Sequence, residues 1–267
     1  MNRNHGRFVA RLRAEPKRTR FILSRLLWVT HLGKLVRYRR NGVGYRLWPT
    51  SASAQYWKDQ NLKSCEWPIL KELNLSGKVV IDVGANVGIF SLQVAQITND
   101  TSRVLAIEAH PKIARFLTKN ISLNGFKNIE VIPKAVGAIR QKIFLSDLRS
   151  DDMNHVSQSS KDSIEVDQIT LDEVTTGYEE IYFLKIDVEG SEYQVLDGAA
   201  NTLRKTRYLM VEYYPKAYDR SGISLSQVTE KLEMHGFEII NRKELGIFHQ
   251  TVNLDEGKFI DIVAVHL

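Results

Sequence analysis

The sequence predicts an α/β fold: a parallel sheet with helices on both of its faces. Three observations carry that reading. From residue 78 onward, short apolar runs alternate with stretches of helical spacing, the pattern of a sheet built by crossover connections. The first of these runs ends in Asp82 and a glycine-bearing turn, VVIDVGANVGIF (79–90). The second ends in an acid, Glu108, within VLAIEAHP (104–111). In such sheets ligands sit beyond the carboxyl ends of the strands, so those ends are where function is expected.

The elements follow in order. Residues 36–49, VRYRRNGVGYRLWP, read as two short strands around Asn41-Gly42, a dipeptide suited to a two-residue hairpin turn. Residues 51–60 and the stretch through Leu75 have the apolar spacing of helices covering a core edge. The first core strand is placed at 78–81 and its helix at 88–95. The second strand is placed at 103–107, with a helix over 111–123 closed by Asn124-Gly125. A third strand is expected within 128–138, and shorter strands in QKIFLSD (141–147) and SIEVDQITLDEV (163–174), flanking a polar loop at 149–162. IYFLKID (181–187) reads as a strongly buried strand, with a helix beginning at 190–196. YLMVEYY (208–214), 237–240 and KFIDIVAVHL (258–267) complete the strands, and 225–234 is helical.

Composition narrows the class. The chain has 267 residues, 43% apolar and 25% charged, ordinary for a globular protein. One cysteine, Cys65, excludes an intrachain disulfide framework and a cysteine-based zinc cluster. That suits a reducing compartment, and the cytoplasm is the expected location. The net charge of +6 is unevenly spread. Residues 1–40 hold twelve Lys or Arg and one acid, Glu15, while the rest of the chain has twenty-five basic and thirty acidic side chains. Residues 1–40 therefore read as a basic arm, and 41–267 as the main domain. FILSRLLWV (21–29) is too short for a membrane span and is interrupted by Arg25. Phe21, Ile22, Leu26, Trp28, Val29 and Leu32 are the apolar side of a basic helix that either docks on the main domain or attaches at an anionic inner-membrane surface.

The turn after the first strand has the pattern D-x-G-x-x-x-G, through Asp82, Gly84 and Gly88. Gly84 permits a tight turn whose backbone can approach a ligand, Gly88 permits close strand–helix packing, and N–H groups at the helix start favour an anionic group. A dinucleotide site would show G-x-G-x-x-G, whereas Asn86 occupies the middle of this turn. Glu108, 26 residues after Asp82, is placed to accept both hydroxyls of a ribose. The pair points to a nucleoside ligand. His110 reads as a turn or cap residue.

IDVGANVGIFSLQVA, IEAHP, VIPKAVGA, TLDEV, VEYYP and especially LKIDVEGSEYQVLDGA resemble the FkbM-type methyltransferases, a branch of the class I S-adenosylmethionine-dependent enzymes. The similarity spans about residues 44–266, with the motifs in unbroken order, and LKIDVEGSE is its most specific block. The resemblance implies a Rossmann-like class I sheet of seven strands, mostly parallel, with one antiparallel strand. It implies S-adenosyl-L-methionine as cofactor, and methyl transfer to a hydroxyl of a sugar, glycan or secondary metabolite. Carried onto this chain, it makes Asp82, Gly84, Ala85, Asn86, Gly88, Glu108 and Ala109 donor-binding positions. Ala135 and Val136 would lie beside the adenine, with a polar contact from Asp151 or Asp152.

LKIDVEGSE gathers Lys185, Asp187, Glu189 and Glu192 near one strand end. Asp187 is the first choice for positioning the acceptor or removing its proton, Glu189 the second, and Glu212 on the next strand shares the pocket. Glu192 sits at a helix start, where an acid is favoured by the dipole and reads as structural. Asp187 and Glu212 suit Mg²⁺ in principle, but no complete ligand set is evident in the sequence, and no metal is expected. Two other readings compete: a nucleic-acid methyltransferase clamping its substrate with the basic arm, and a membrane-associated binding module without catalysis. No aromatic-rich nucleotide-binding module or amino-methylating motif supports the first.

Overall fold

The computed structural model describes residues 18–30, 32–48, 53–59, 66–147, 156–157, 163–218, 222–240 and 260–266. Helix α1 (Arg18–Val29) and a 3₁₀ turn (Leu32–Leu35) precede a hairpin of β1 (Arg37–Arg40) and β2 (Val43–Arg46). The hairpin turns on Asn41 and Gly42 at φ 49° and 83°, as an Asn-Gly turn requires. Helices α2 (Ser53–Lys58) and α3 (Glu66–Glu72) follow. Then come β3 (Val79–Val83), α4 (Ile89–Ile97), β4 (Arg103–Ile107), α5 (Pro111–Asn124) and β5 (Ile129–Ile132), two successive crossovers. Strands β6 (Ala135–Val136), β7 (Gln141–Ser146), β8 (Val156–Ser157) and β9 (Ser163–Ile169) form a separate sheet, followed by the short helix α6 (Leu171–Val174). The chain returns through β10 (Ile181–Ile186), α7 (Glu192–Asp197), α8 (Ala200–Arg204), β11 (Thr206–Tyr213), α9 (Pro215–Tyr218), α10 (Leu225–Met234), β12 (Phe237–Ile239) and β13 (Ile260–His266).

The main sheet has seven strands in the order β12-β13-β11-β10-β3-β4-β5. All run parallel except β13, which is antiparallel to both neighbours. This is the Rossmann-like class I sheet expected from the sequence. Strand order reverses between β3 and β10, which makes that gap the topological switch point where a ligand crevice opens.

Two segments differ from expectation. The apolar stretch at 128–138 is two strands in two sheets. Pro133 has no N–H to continue the ladder, so β5 ends at Ile132 and β6 pairs with β9 instead. The strand expected to run on through TLDEV stops at Ile169. Thr170 and Glu173 form a reciprocal capping box that starts α6.

Alternation along the strands divides the core. Ile81, Val83, Leu184, Ile186, Leu209 and Val211 face α7, α8 and α10. Val80, Phe183, Met210 and Val263 pack on the opposite face against Ile69, Leu70, Phe90 and Val94 of α3 and α4. Following this second face toward the carboxyl ends, its apolar layer gives way to charge. Asp82 and Lys185 are register partners, and Glu212 pairs with Asp261 across β11 and β13. Burying the lower layer thus fixes which face carries the ionisable groups.

The hairpin is tied to the main sheet by two asparagines one turn apart on α5. Asn124 accepts from the Gly44 N–H (2.7 Å) and donates to its carbonyl (2.8 Å), as a neighbouring strand would. Asn120, fully buried, accepts from the Arg46 N–H (3.0 Å) and donates to the Val87 carbonyl (2.9 Å). The arm helix meets the domain through α2. Phe21 and Ser24 are buried, and Arg20 donates to the Trp57 carbonyl at 2.7 Å. The apolar side read from the sequence is therefore split: Phe21 turns inward, while Ile22, Leu26, Val29 and Leu32 remain exposed.

Candidate functional site

The turn after β3 is closed by its own hydrogen bonds. The Gly84 and Ala85 N–H groups both donate to the Ile107 carbonyl at 2.9 Å, and Gly88 N–H donates to the Ala85 carbonyl at 2.9 Å. Asn86 N–H donates to Glu108 Oε2 (2.9 Å), and Val87 N–H to the Asn86 side chain (2.6 Å). The N–H groups of Gly84, Ala85, Asn86, Val87 and Gly88 are thus all committed within the protein. Asp82 is fully buried and accepts from Ser91 Oγ at 2.5 Å. The two glycines serve packing. A Cβ on Gly84 (φ 83°) would stand 1.7 Å from the Asp187 carbonyl oxygen. One on Gly88 (φ 93°) would stand 2.4 Å from Leu117 Cδ1. Asn86, at φ 51°, adopts the left-handed conformation that Asn tolerates better than most residues.

Glu108 follows β4 directly and is almost completely buried. Its Oε2 accepts from Asn86 and its Oε1 from the His110 N–H at 2.7 Å. Burial pushes its pKa up to about 7, while those two backbone hydrogen bonds pull the other way and the Asp82 and Asp187 charges add to the rise. His110 caps α5, accepting from the Lys112 N–H through Nδ1 at 3.2 Å and facing Asp147 through Nε2 at 3.2 Å. Ala109 packs on a small cluster containing Ala135, and Val136 joins the core beside Val83 and Ile107. The structure therefore brings residues 82–88, 108–109 and 135–136 to one end of β3, β4 and β5. Asp151 and Asp152 lie outside the described residues.

Across the switch point stands the second group. Asp187 N–H donates to the Val83 carbonyl at 3.0 Å, joining the end of β10 to that of β3. Lys185, buried, donates to Asp187 Oδ2 at 2.7 Å. Asp187, Glu189 and Glu212 each bring a carboxylate oxygen within 4.8 Å of the others. Oxygen donors so placed suit a hard divalent cation, yet the Lys185 ammonium already supplies a positive charge there. Glu212 is held well above the usual carboxylate range by burial first and the neighbouring Asp187 charge second, with Lys185 opposing. Glu189 lies at φ 57°, a strained conformation for a non-glycine residue and one that clusters at functional sites. Glu192 holds that loop. Its buried carboxylate accepts from Val188 N–H (2.9 Å) and from Gly190 N–H (3.1 and 3.2 Å to its two oxygens). Its position supports the structural reading.

A family model described as the Methyltransferase FkbM domain matches residues 82–239. The chain belongs to the FkbM methyltransferase family. The FkbM methyltransferase of Methylobacillus flagellatus KT is similar in structure, at 20% identity and a TM-score of 0.50 over 79% of this chain and 46% of that one. The Methanococcus jannaschii fibrillarin pre-rRNA processing protein aligns at 17% identity and a TM-score of 0.46, covering 86% of this chain and 82% of its own. TrmK of M. capricolum, solved with S-adenosyl-homocysteine, aligns at 14% and 0.47 over 76% and 68%. At such identities the likeness is one of fold, and this chain spans under half of the M. flagellatus protein. No curated protein matches the sequence.

This FkbM domain takes S-adenosyl-L-methionine as its cofactor, and the residues present fit it. An ionised carboxylate has about four lone-pair sites. Glu108 commits two of them to backbone N–H groups, so each oxygen keeps capacity for one ribose hydroxyl. Several contributors were not singled out in the sequence. Asp261, a lone acid in an apolar strand, is an anomaly visible in the sequence pattern, whereas Ser91 shares its helix with Gln93 and Gln96 and does not stand out. Asn120 has no such signal, since a polar residue on a surface helix is ordinary.

Proposed function

We propose that this chain transfers the methyl group of S-adenosylmethionine to a hydroxyl oxygen of a sugar, glycan or other small metabolite. The observation that carries the reading is the Lys185–Asp187–Glu189–Glu212 group, standing across the switch point from the Glu108 turn. Bound S-adenosylmethionine supplies an electrophilic methyl on a sulfonium centre. The protein must place the acceptor oxygen in line with it and take the hydroxyl proton. Asp82, Gly84, Ala85, Asn86, Gly88, Glu108, Ala109, Ala135 and Val136 are assigned to holding the donor. Asp187 receives the proton, with Lys185 balancing the charge of the carboxylates. Glu189 and Glu212 orient the acceptor. Deprotonation by a positioned base contributes about 10²–10⁴-fold.

Calorimetric titration tests the donor half: S-adenosylmethionine binds the wild type and binds Asp82→Ala and Glu108→Ala more weakly. No binding to folded wild type sinks the proposal. A screen of hydroxyl acceptors with labelled donor tests the other half. Asp187→Asn should bind donor normally but lose turnover by about 10²–10⁴-fold, and methylation confined to nitrogen acceptors would refute the oxygen assignment.

A further inference from the structure

The basic arm carries an exposed apolar row that the fold leaves uncovered. Six of the ten exposed large apolar side chains among the described residues lie between positions 22 and 35: Ile22, Leu23, Leu26, Val29, Leu32 and Leu35. The most exposed of them, Leu26, Val29 and Leu35, are 58%, 66% and 67% accessible. At 100° per residue, Ile22, Leu26 and Val29 fall within roughly 60° of one another on α1, about opposite buried Ser24. Phe21 and Ser24 already anchor the helix to the domain, and Arg20 pins it to the Trp57 carbonyl. The exposed row is therefore presented on a docked helix and is not the face that docks it.

Its surroundings are cationic. Arg18 and Arg25 lie i−4 and i+3 from Ile22, so they line one edge of the row on the same helix, the Arg25 guanidinium 5.1 Å from the centre of the Phe21 ring. Arg37 and Arg39 follow on β1, and residues 1–40 as a whole carry twelve basic side chains against one acid. An apolar row rimmed by arginine matches a surface that is negative outside and apolar just beneath, which is the interface of an anionic bilayer. A nucleic-acid backbone is complementary to the charge alone and offers nothing to the leucines. No described helix is long and apolar enough to cross a membrane, so attachment is in the plane of the interface.

We propose that α1 and the 3₁₀ turn after it dock this protein on anionic lipid headgroups, with Ile22, Leu26, Val29, Leu32 and Leu35 entering the acyl boundary. The inference stands apart from the acceptor reading, because docking needs neither donor nor acceptor.

The test is co-sedimentation of the full chain, without donor, on vesicles of phosphatidylcholine alone or with about 30% phosphatidylglycerol. Pelleting should be at least about tenfold stronger on the anionic vesicles and weaken steeply between 0.1 and 0.5 M salt. A Leu26→Glu, Val29→Glu double variant should lose at least about tenfold in partitioning with an unchanged melting temperature, since both side chains are exposed. Wild-type-like pelleting of that variant overturns the proposal. So does absence of vesicle binding by the wild type. If the wild type instead sediments as a dimer that the variant dissolves, the row is a self-interface. If it binds an RNA oligonucleotide and no vesicle, the arm is a nucleic-acid clamp.

Discussion

Replacing Gly84 with alanine is the sharpest probe of how the site is assembled. An ideal Cβ there lies 1.7 Å from the Asp187 carbonyl oxygen and 2.8 Å from its carbon. Ordinary carbon–oxygen contacts begin near 3.3 Å, so the ends of β3 and β10 must part by about 1.5 Å. That strains or breaks the Asp187 N–H to Val83 carbonyl bond of 3.0 Å. The residue also sits at φ 83°, which adds roughly 1–2 kcal/mol for a residue with a side chain. Forced backbone displacement adds about 1–3 kcal/mol, and the lost hydrogen bond about 1 kcal/mol. The sum is roughly 3–6 kcal/mol, and at about 2–4 °C per kcal/mol for a domain of this size the melting temperature falls by about 6–24 °C. Gly88→Ala is the control. Its Cβ would meet Leu117 Cδ1 and Leu92 Cδ1, the ends of flexible side chains that can turn away, and the loss should be about half as large. Thermal unfolding of both variants, with S-adenosylmethionine titrations, measures the order. A Gly84→Ala protein that melts within about 2 °C of wild type and binds donor normally would refute the claim that β3 and β10 must touch at this point.

Three further outcomes follow from the geometry. Glu108 has a folded pKa of about 7 against about 4.3 in an unfolded chain. The folded state therefore holds the proton more tightly, and this group's contribution to stability falls as pH rises from about 4 to about 7. Glu108→Gln removes that dependence, so the variant's melting temperature should gain on wild type between pH 5 and 8, by the equivalent of about 1–3 kcal/mol, while donor affinity drops; a pH-independent difference would contradict the assignment. Asn120→Ala leaves the Arg46 N–H and Val87 carbonyl without their partner, at about 1–3 kcal/mol each. Calorimetry should show weaker S-adenosylmethionine binding as the donor turn loosens, and undiminished affinity would exclude Asn120 as a positioning residue. Lys185→Met removes the charge that opposes the rise of Glu212, so Glu212 should hold its proton to higher pH and the methylation rate profile should move upward in pH; an unshifted profile argues against Lys185 as the balancing charge.

Much of this protein is legible locally. The apolar alternation placed β3, β4, β10 and β11. The Asn41-Gly42 turn, the His110-Pro111 helix start and the closing Gly125 follow from the conformations those residues favour. D-x-G-x-x-x-G and Glu108 point to the end proposed for the donor because turn chemistry and a strand-end carboxylate are short-range features. Local rules fall short at two points: β propensity continues through Pro133 and through the Thr170–Glu173 capping box, where the strands themselves stop. The arm illustrates the same limit. Its helix was legible from apolar spacing, but the spacing could not say that Phe21 would turn inward while Ile22, Leu26 and Val29 stay exposed.

The amino-acid sequence by itself determined the fold class and the family, and it pointed to the residues proposed here to hold the donor. Only the tertiary structure decided how those residues are arranged. Gly84 is glycine because the Asp187 carbonyl, over a hundred residues later, fills the space of its side chain. Asn120 bridges the hairpin to the donor turn, and Asp187, Glu189 and Glu212 meet only because β10 and β11 lie side by side in register. The physical reason is common to all three. Local pattern sets which face of a strand is buried, whereas strand order and register set which charged ends converge. Those are properties of the whole sheet rather than of any segment of it.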